Sequence, residues 1–451
     1  MPRPPLLIVI LAAGMGVRMR SARPKALHAI AGRSLLGHVL AQAEAAAAAG
    51  IAVVVAPGMA EVRAEALARA PSAQLFEQMT QAGTGDAVLA ARPALEGHRG
   101  DVIVLFADSP LIEPATLEQL RAALDAGAAV AVLGFEAEDP TGYGRLILDA
   151  SGSVAAIREH QDCSASERDN RLSNAGAMAF RVPALAELIG RIGNHNASRE
   201  YYLTDVVDLA NRDGHKVLAV VCSAEEAIGI NTRAQLAAAE AVFQRRARSK
   251  ALEHGVTMIA PETVWFSYDT VIGRDVSIEP NVVFAPGVVV EDGAQILANS
   301  HFTGARIGKG ARVGPFARLR PGADVGANVH IGNFVEVKNA TFEPGAKANH
   351  LAYIGDGRVG AKANIGAGTI FCNYDGFHKH LTEIGKGAFI GSNTSLVAPV
   401  KVGEGAYIAS GSVITRNVAE DALAVARSRQ EERPGWAAKF RALIKNRKPQ
   451  R

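Results

Sequence analysis

The stretch Ile307-Gly308, Val313-Gly314, Leu319, Val325-Gly326, Ile331-Gly332, Val337 places an apolar residue, often followed by glycine, at every sixth position. The same beat returns at Ile384-Gly385, Ile390-Gly391, Leu396, Val402-Gly403, Ile408 and Ile414. A period of six is neither helical nor a simple alternating strand. It marks a hexapeptide solenoid, a parallel β-helix whose flat faces each take one hexad. Inward Ile and Val fill a narrow triangular core, and Gly and Asn at the corners accept the positive φ of the turns. Such a core is packed solid. A small-molecule site must therefore use protruding loops or the groove between two solenoids, and the latter predicts a homo-oligomer. The rhythm breaks between Ile365 and Ile384, where function is expected.

Upstream, residues 1–228 alternate short β-branched runs with Ala/Leu/Glu-rich segments. Strands are predicted over 6–11, 51–55, 102–106, 129–134 and 217–221, with helices such as 35–49 and 61–70. This pattern implies a Rossmann-like α/β domain with a mainly parallel sheet covered on both faces. Its ligand crevice is expected beyond the C-terminal ends of the strands. Residues 229–255 read as a helical arm closed by Gly255, with Leu236, Ala239, Val242 and Phe243 packing on one neighbour. Residues 256–451 form the hexapeptide domain with a basic tail.

Apolar residues make up 48% and charged residues 21%, an ordinary soluble composition, and the formal charge of +3 argues against a dedicated nucleic-acid binder. Nine Lys/Arg against two Glu lie from Arg427 onward. They read either as a solvated tail or as arginines that reach a phosphate. Cys163, Cys222 and Cys372 have no paired spacing, which fits a reducing cytoplasm. Arg3 and the apolar run 6–13 imitate a signal peptide, but prolines precede the run and a glycine loop follows it. No apolar stretch reaches membrane-spanning length. The expectation is a cytoplasmic protein without nucleic-acid or membrane partners.

Directly after the first strand stands Leu11-Ala12-Ala13-Gly14-Met15-Gly16-Val17-Arg18, then Arg23-Pro24-Lys25. Glycines at a strand end let backbone N–H groups approach phosphate oxygens, and Arg18 and Lys25 add fixed positive charge. The pattern is neither the dinucleotide GxGxxG nor the P-loop. It resembles the opening of sugar-nucleotide pyrophosphorylases. Within them it is most similar to the bifunctional N-acetylglucosamine-1-phosphate uridyltransferases/glucosamine-1-phosphate acetyltransferases, from Leu6 to about Arg427. The resemblance implies a left-handed β-helix and a homotrimer whose acetyl sites are shared between neighbouring solenoids. It implies nucleotide contacts at Leu11, Ala12, Ala13, Gly14, Lys25, Gln78, Gly83 and Thr84, and sugar contacts at Gly144, Glu159 and Asn174. Asp108 and Asn231 are implied as Mg²⁺ ligands, and Arg18 and Lys25 as the catalytic cations. Uridylyl transfer from UTP to N-acetylglucosamine 1-phosphate suits this set, because a sugar phosphate is already an anionic nucleophile. Catalysis then needs in-line positioning and charge neutralisation. The chain departs from the family's usual residues at Val17 (Thr), Phe106-Ala107 (Tyr-Gly) and Asp86 (His).

In the solenoid, Lys347-Ala348-Asn349-His350-Leu351-Ala352-Tyr353 resembles the family's acetyltransferase motif, with His350 as general base. Acyl transfer to an amine requires loss of a proton, and histidine titrates nearest to working pH. The thioester of acetyl-CoA is activated enough that Cys372 is not needed as a nucleophile. By resemblance Arg320, Lys338, Tyr353 and Asn364 hold glucosamine 1-phosphate. Ala367, Asn373, Tyr374, Ser392, Ser410 and Arg427 line the acetyl-CoA site, with Ser410 in place of the usual alanine. Two other readings stay open: a single-activity pyrophosphorylase whose hexads only build an oligomer, and a non-catalytic binding protein.

Overall fold

A computed structural model describes residues 3–446. Of the basic tail, Arg447, Lys448 and Arg451 lie outside the described residues. The chain divides into two compact units, Met1–Ser249 and Lys250–Arg451.

In the first unit the apolar runs build the central strands β1 (Leu6–Leu11), β2 (Gly50–Val55), β3 (Gln74–Glu77), β4 (Asp101–Phe106), β5 (Val130–Glu136), β6 (Leu172–Arg181) and β7 (Val217–Cys222). Their order in the sheet is β7-β5-β6-β4-β1-β2-β3. All neighbours run parallel except β6, which is antiparallel to both β4 and β5. Every residue of β1 is buried, and alternate side chains enter opposite cores: Leu6, Ile8 and Ile10 on one face, Leu7, Val9 and Leu11 on the other. The chain leaves β1 toward β2 and β3 on one side and returns to β4 on the other. The crevice expected at such a reversal lies past the ends of β1 and β4.

The arm is the helix Arg233–Glu253, stopped by Gly255 at φ +94. Ala239 and Val242 are buried, Phe243 meets the ring of His38 edge-on at 5.7 Å, and Glu240 accepts the backbone N–H of Ala31. Burial and the backbone bond to Ile30 leave His38 a core residue, its pKa pushed down to about 4 by desolvation.

The second unit is a left-handed parallel β-helix of short strands, most of two or three residues and the longest of seven. Each strand pairs in parallel with the strand one coil later, for example Gln295↔Arg312, Arg312↔His330 and His330↔Lys347. Alternation at each step points one residue inward. Ile278, Ile296, Val313, Ile331, Ala348, Ile365, Ile390 and Ile408 are all buried. A second wall stacks Phe266, Phe284 and Phe302 at centroid spacings of 5.4 and 5.5 Å. The hexad beat breaks at 373–381, so that Asn364 pairs with Phe389 across an enlarged coil. Corners take Gly and Asn as expected, but also Phe316, Phe334, Leu351 and Lys362 at φ 49 to 58. Bulky side chains in this region are unusual. Three of these, Phe316, Phe334 and Leu351, succeed each other on one edge and are exposed.

Because each coil touches only its neighbours, damage to the core should stay local. Phe302→Ala is expected to cost about 3–5 kcal/mol. Hydrogen exchange should show the loss in the coils around 283–320, with amides of the first unit unchanged.

Candidate active sites

In the first unit a cavity of about 270 Å³ opens past the ends of β1 and β4. Leu11, Ala12, Ala13, Gly14, Lys25, Gln78, Gly83, Thr84 and Asp108 all line it, joined by Gln81 and Glu200, which the sequence reading omitted. Gly16 explains part of the loop's sequence: it holds φ +65, and a Cβ there would fall 2.5 Å from Lys25 Cβ. Gly83, at φ +123, sits so close to Tyr201 that a Cβ would stand 2.6 Å from its carbonyl oxygen. Arg18 is exposed and is not part of the cavity wall.

Lys25 Nζ bonds Asp108 Oδ2 at 2.5 Å and Asn231 Oδ1 at 3.0 Å. A strand end and the start of the arm helix thus converge their oxygens on one cation, and the Ile230 N–H bonds the Asp108 carbonyl at 2.9 Å to hold them together. One carboxylate and one amide oxygen aimed at a positive charge fit Mg²⁺, which keeps several waters and takes few protein ligands. No cluster of three or more His, Cys, Asp or Glu side chains suited to a metal occurs among the described residues.

Gly144, Glu159 and Asn174 come together. Asn174 N–H bonds the Gly144 carbonyl at 2.8 Å, and a Cβ on Gly144 would lie 3.4 Å from Glu159 Oε2 and 3.5 Å from Asn174 Cβ. Burial pushes the Glu159 carboxyl up, against the opposing bond from Thr204. The segment 201–204 ties this wall to the cavity, since Leu203 N–H bonds Thr84 Oγ1 at 2.9 Å. Nothing in its sequence marked it; its place is set by backbone packing against two glycines.

In the second unit the predicted residues flank one edge of the solenoid. His350 precedes the Leu351 corner and Tyr353 follows it. Successive coils carry that edge through Phe316, Phe334, Leu351, Gly368, Asn393 and Gly411, each linked to the coil below by its backbone N–H. Ala367, Ser392 and Ser410 therefore lie in one row, and Arg427 reaches it at Gly411. His350 Nδ1 is 2.7 Å from Asn333 Oδ1, one coil below. An amide oxygen only accepts, so Nδ1 carries the hydrogen and the neutral ring keeps its Nε2 lone pair free. Gly332 makes the stacking possible, because a Cβ there would fall 1.9 Å from the Asn349 carbonyl oxygen.

On the following face Asp356 gathers Lys338 Nζ (3.2 Å), Asn339 Nδ2 (2.7 Å) and Asn373 Nδ2. Gly355 leaves room for the Tyr353 hydroxyl and the Asn373 amide, each less than 3 Å from where its Cβ would stand. Arg320 is paired with Glu336 at 2.8 Å. The loop 373–381 folds back through the Tyr374↔Lys379 bridge and brings in Lys379, whose ammonium is held below the usual lysine range by Lys338. Asn333, Asp356 and Lys379 were missed by sequence reading. Asn333 and Asp356 lie one coil from His350 and Lys338, a spacing that was available as a signal. Asn364 lies on the His350 face, paired with Lys347, while Tyr374 is exposed on the loop.

Residues 8–173 match the MobA-like NTP transferase domain, and residues 269–304, 304–339 and 381–416 match the bacterial transferase hexapeptide model. Relatives described as bifunctional protein GlmU match along nearly the whole chain. That of Xanthobacter autotrophicus is 56% identical over 97% of both chains, and that of Zymomonas mobilis is 48% identical over 97% of this chain and 98% of its own. The chain belongs to the bifunctional GlmU family. The GlmU relatives also span the coil at 340–380, which the hexapeptide matches skip and which holds Asp356, Asn373 and Lys379.

Burial of Glu159 gives a stability prediction. Its folded pKa is raised, so the folded state binds its proton more readily than the unfolded chain does. The cost is absent below the ordinary glutamate range and fully present above the raised value. Glu159→Gln should therefore raise the melting temperature at pH 8 and lose that advantage at pH 4, as read by calorimetry.

Proposed function

We propose that the two units catalyse successive steps. The solenoid acetylates glucosamine 1-phosphate with acetyl-CoA, and the first unit couples the product to UTP, giving UDP-N-acetylglucosamine and pyrophosphate. The observation that carries this reading is that both kinds of chemistry have their own charged constellation. Lys25, Asp108 and Asn231 meet at the cavity of one unit; Lys338, Asp356 and Lys379 meet on the solenoid face that follows the corner after His350. A solenoid serving only as a scaffold has no need of the second.

For uridylyl transfer the sugar phosphate is the nucleophile, and the chain's task is to hold it in line with the α-phosphorus of UTP. Gly14 and its neighbours offer backbone N–H groups, Lys25 and Arg18 stabilise the charge that develops, and Gly144, Glu159 and Asn174 orient the acetylamino sugar. Asp108 and Asn231 would hold Mg²⁺, which when bound neutralises triphosphate charge. For acetyl transfer Lys338, Lys379 and Arg320 bind the sugar phosphate and Tyr353 and Asn364 orient the sugar; the amine attacks the thioester carbonyl, His350 Nε2 takes its proton, and the C–S bond breaks to release the CoA thiolate. Ala367, Asn373, Tyr374, Ser392, Ser410 and Arg427 form the track for acetyl-CoA.

The exposed row Phe316, Phe334 and Leu351 on the same edge supports a homotrimer in which a second solenoid covers that edge and completes the site. Unpaired cysteines, and the lack of any helix among the described residues apolar and long enough to cross a membrane, support a cytoplasmic enzyme.

Separate assays of the two activities test the division. Asp108→Ala should lose uridylyl transfer by about 100-fold or more and keep acetyl transfer, while His350→Ala should do the reverse, on the scale of a lost general base. Acetylation at the parent rate by His350→Ala would remove that residue from the mechanism.

A further inference from the structure

Asp86 lies in the first turn of the helix Thr84–Ala90. Its Oδ2 accepts hydrogen bonds from Gln78 Nε2 at 2.8 Å and from the backbone N–H of Ala82 at 3.2 Å, with Thr80 Oγ1 at 3.5 Å. Gln78 Nε2 also donates to the carbonyl oxygen of Gly83 at 2.9 Å. An amide nitrogen has two hydrogens, and both are committed to groups that only accept. The opposite orientation of the amide would set its oxygen against two acceptors. Gln78 is 5% exposed and lines the nucleotide cavity. Its one amide atom without a hydrogen-bond partner among the described residues is Oε1, an acceptor.

We propose that Asp86 is a specificity-determining positioning residue: it locks the Gln78 amide so that the cavity presents a fixed hydrogen-bond acceptor to the base. A base whose edge carries an N–H donor, as N3–H of uracil does, is then bound. Cytosine, whose N3 is an acceptor, meets oxygen against lone pair. A carboxylate only accepts, so Asp86 imposes that orientation together with the Gly83 carbonyl. The inference rests on the uridylyl-transfer reading above and names what sets its choice of base.

The test is kcat/KM for UTP and for CTP with the full chain, its Asp86→Asn variant and its Asp86→Ala variant, with melting temperature and acetyl transfer checking the fold. In Asp86→Asn the new amide can donate to Gln78 Oε1, which leaves the Gly83 carbonyl as the one acceptor still opposing a turn of the glutamine's NH₂ outward. The UTP/CTP ratio is expected to fall by about tenfold or more, through loss on UTP and gain on CTP. Asp86→Ala removes one of the two acceptors that hold the amide, keeps the bond to the Gly83 carbonyl, and should lower the ratio less; it carries the same test if the asparagine variant melts early. A folded variant that keeps the parent's ratio overturns the role of Asp86. A parent that uses CTP as well as UTP overturns the base reading beneath it.

Discussion

The filled triangular core of the solenoid is the constraint on which the second unit depends. Each coil spends one residue in six on an inward Ile, Val, Leu, Ala or Phe, and the interior that results has no room for a ligand. Chemistry is displaced to the corners and to outward positions. There the parallel register repeats every coil, so residues far apart in sequence stack in rows. His350 over Asn333 and Asp356 over Lys338 and Asn339 are products of that register. The loop 373–381 adds what the repeat cannot supply, a cation brought in from outside the ladder.

The first unit solves the opposite problem. Its sheet is buried on both faces, so function collects where strands end and backbone N–H groups are unpaired. β1 and β4 end side by side, which sets the glycine loop next to Asp108. The start of the arm helix brings Asn231 to the same point, and the Lys25 ammonium satisfies both oxygens. A charge held by two oxygens in the free protein is a ready place for substrate phosphates and a divalent cation to reorganise.

Much of this was legible in the sequence, for identifiable reasons. The six-residue period survives because every coil obeys the same packing rule. The runs at β1, β2, β4 and β5 stand out because strands buried on both faces are continuously apolar; β7 stands out by its β-branched residues although it is a partly exposed edge. β3 and β6 do not stand out. Gln74–Glu77 is a polar edge, and Leu172–Arg181 is rich in Ala, Gly and Ser, so its antiparallel placement comes from neighbours rather than from propensity. The cavity residues were legible through motif resemblance. Lys379 was not, because only the folded loop brings it to Lys338; Asn333 and Asp356 stand one coil from His350 and Lys338, a spacing that the repeat offers but that gains meaning only once the register is known, and Phe316, Phe334 and Leu351 hold corners that their residue types disfavour.

We place acetyl transfer at the edge around Leu351. A crystal structure with CoA and glucosamine 1-phosphate tests it most directly. The sugar phosphate should lie against Lys338 and Lys379, the amine within hydrogen-bond reach of His350 Nε2, and CoA along the row of Ala367, Ser392 and Ser410. Ligands bound away from that edge, or an amine far from His350, would contradict it.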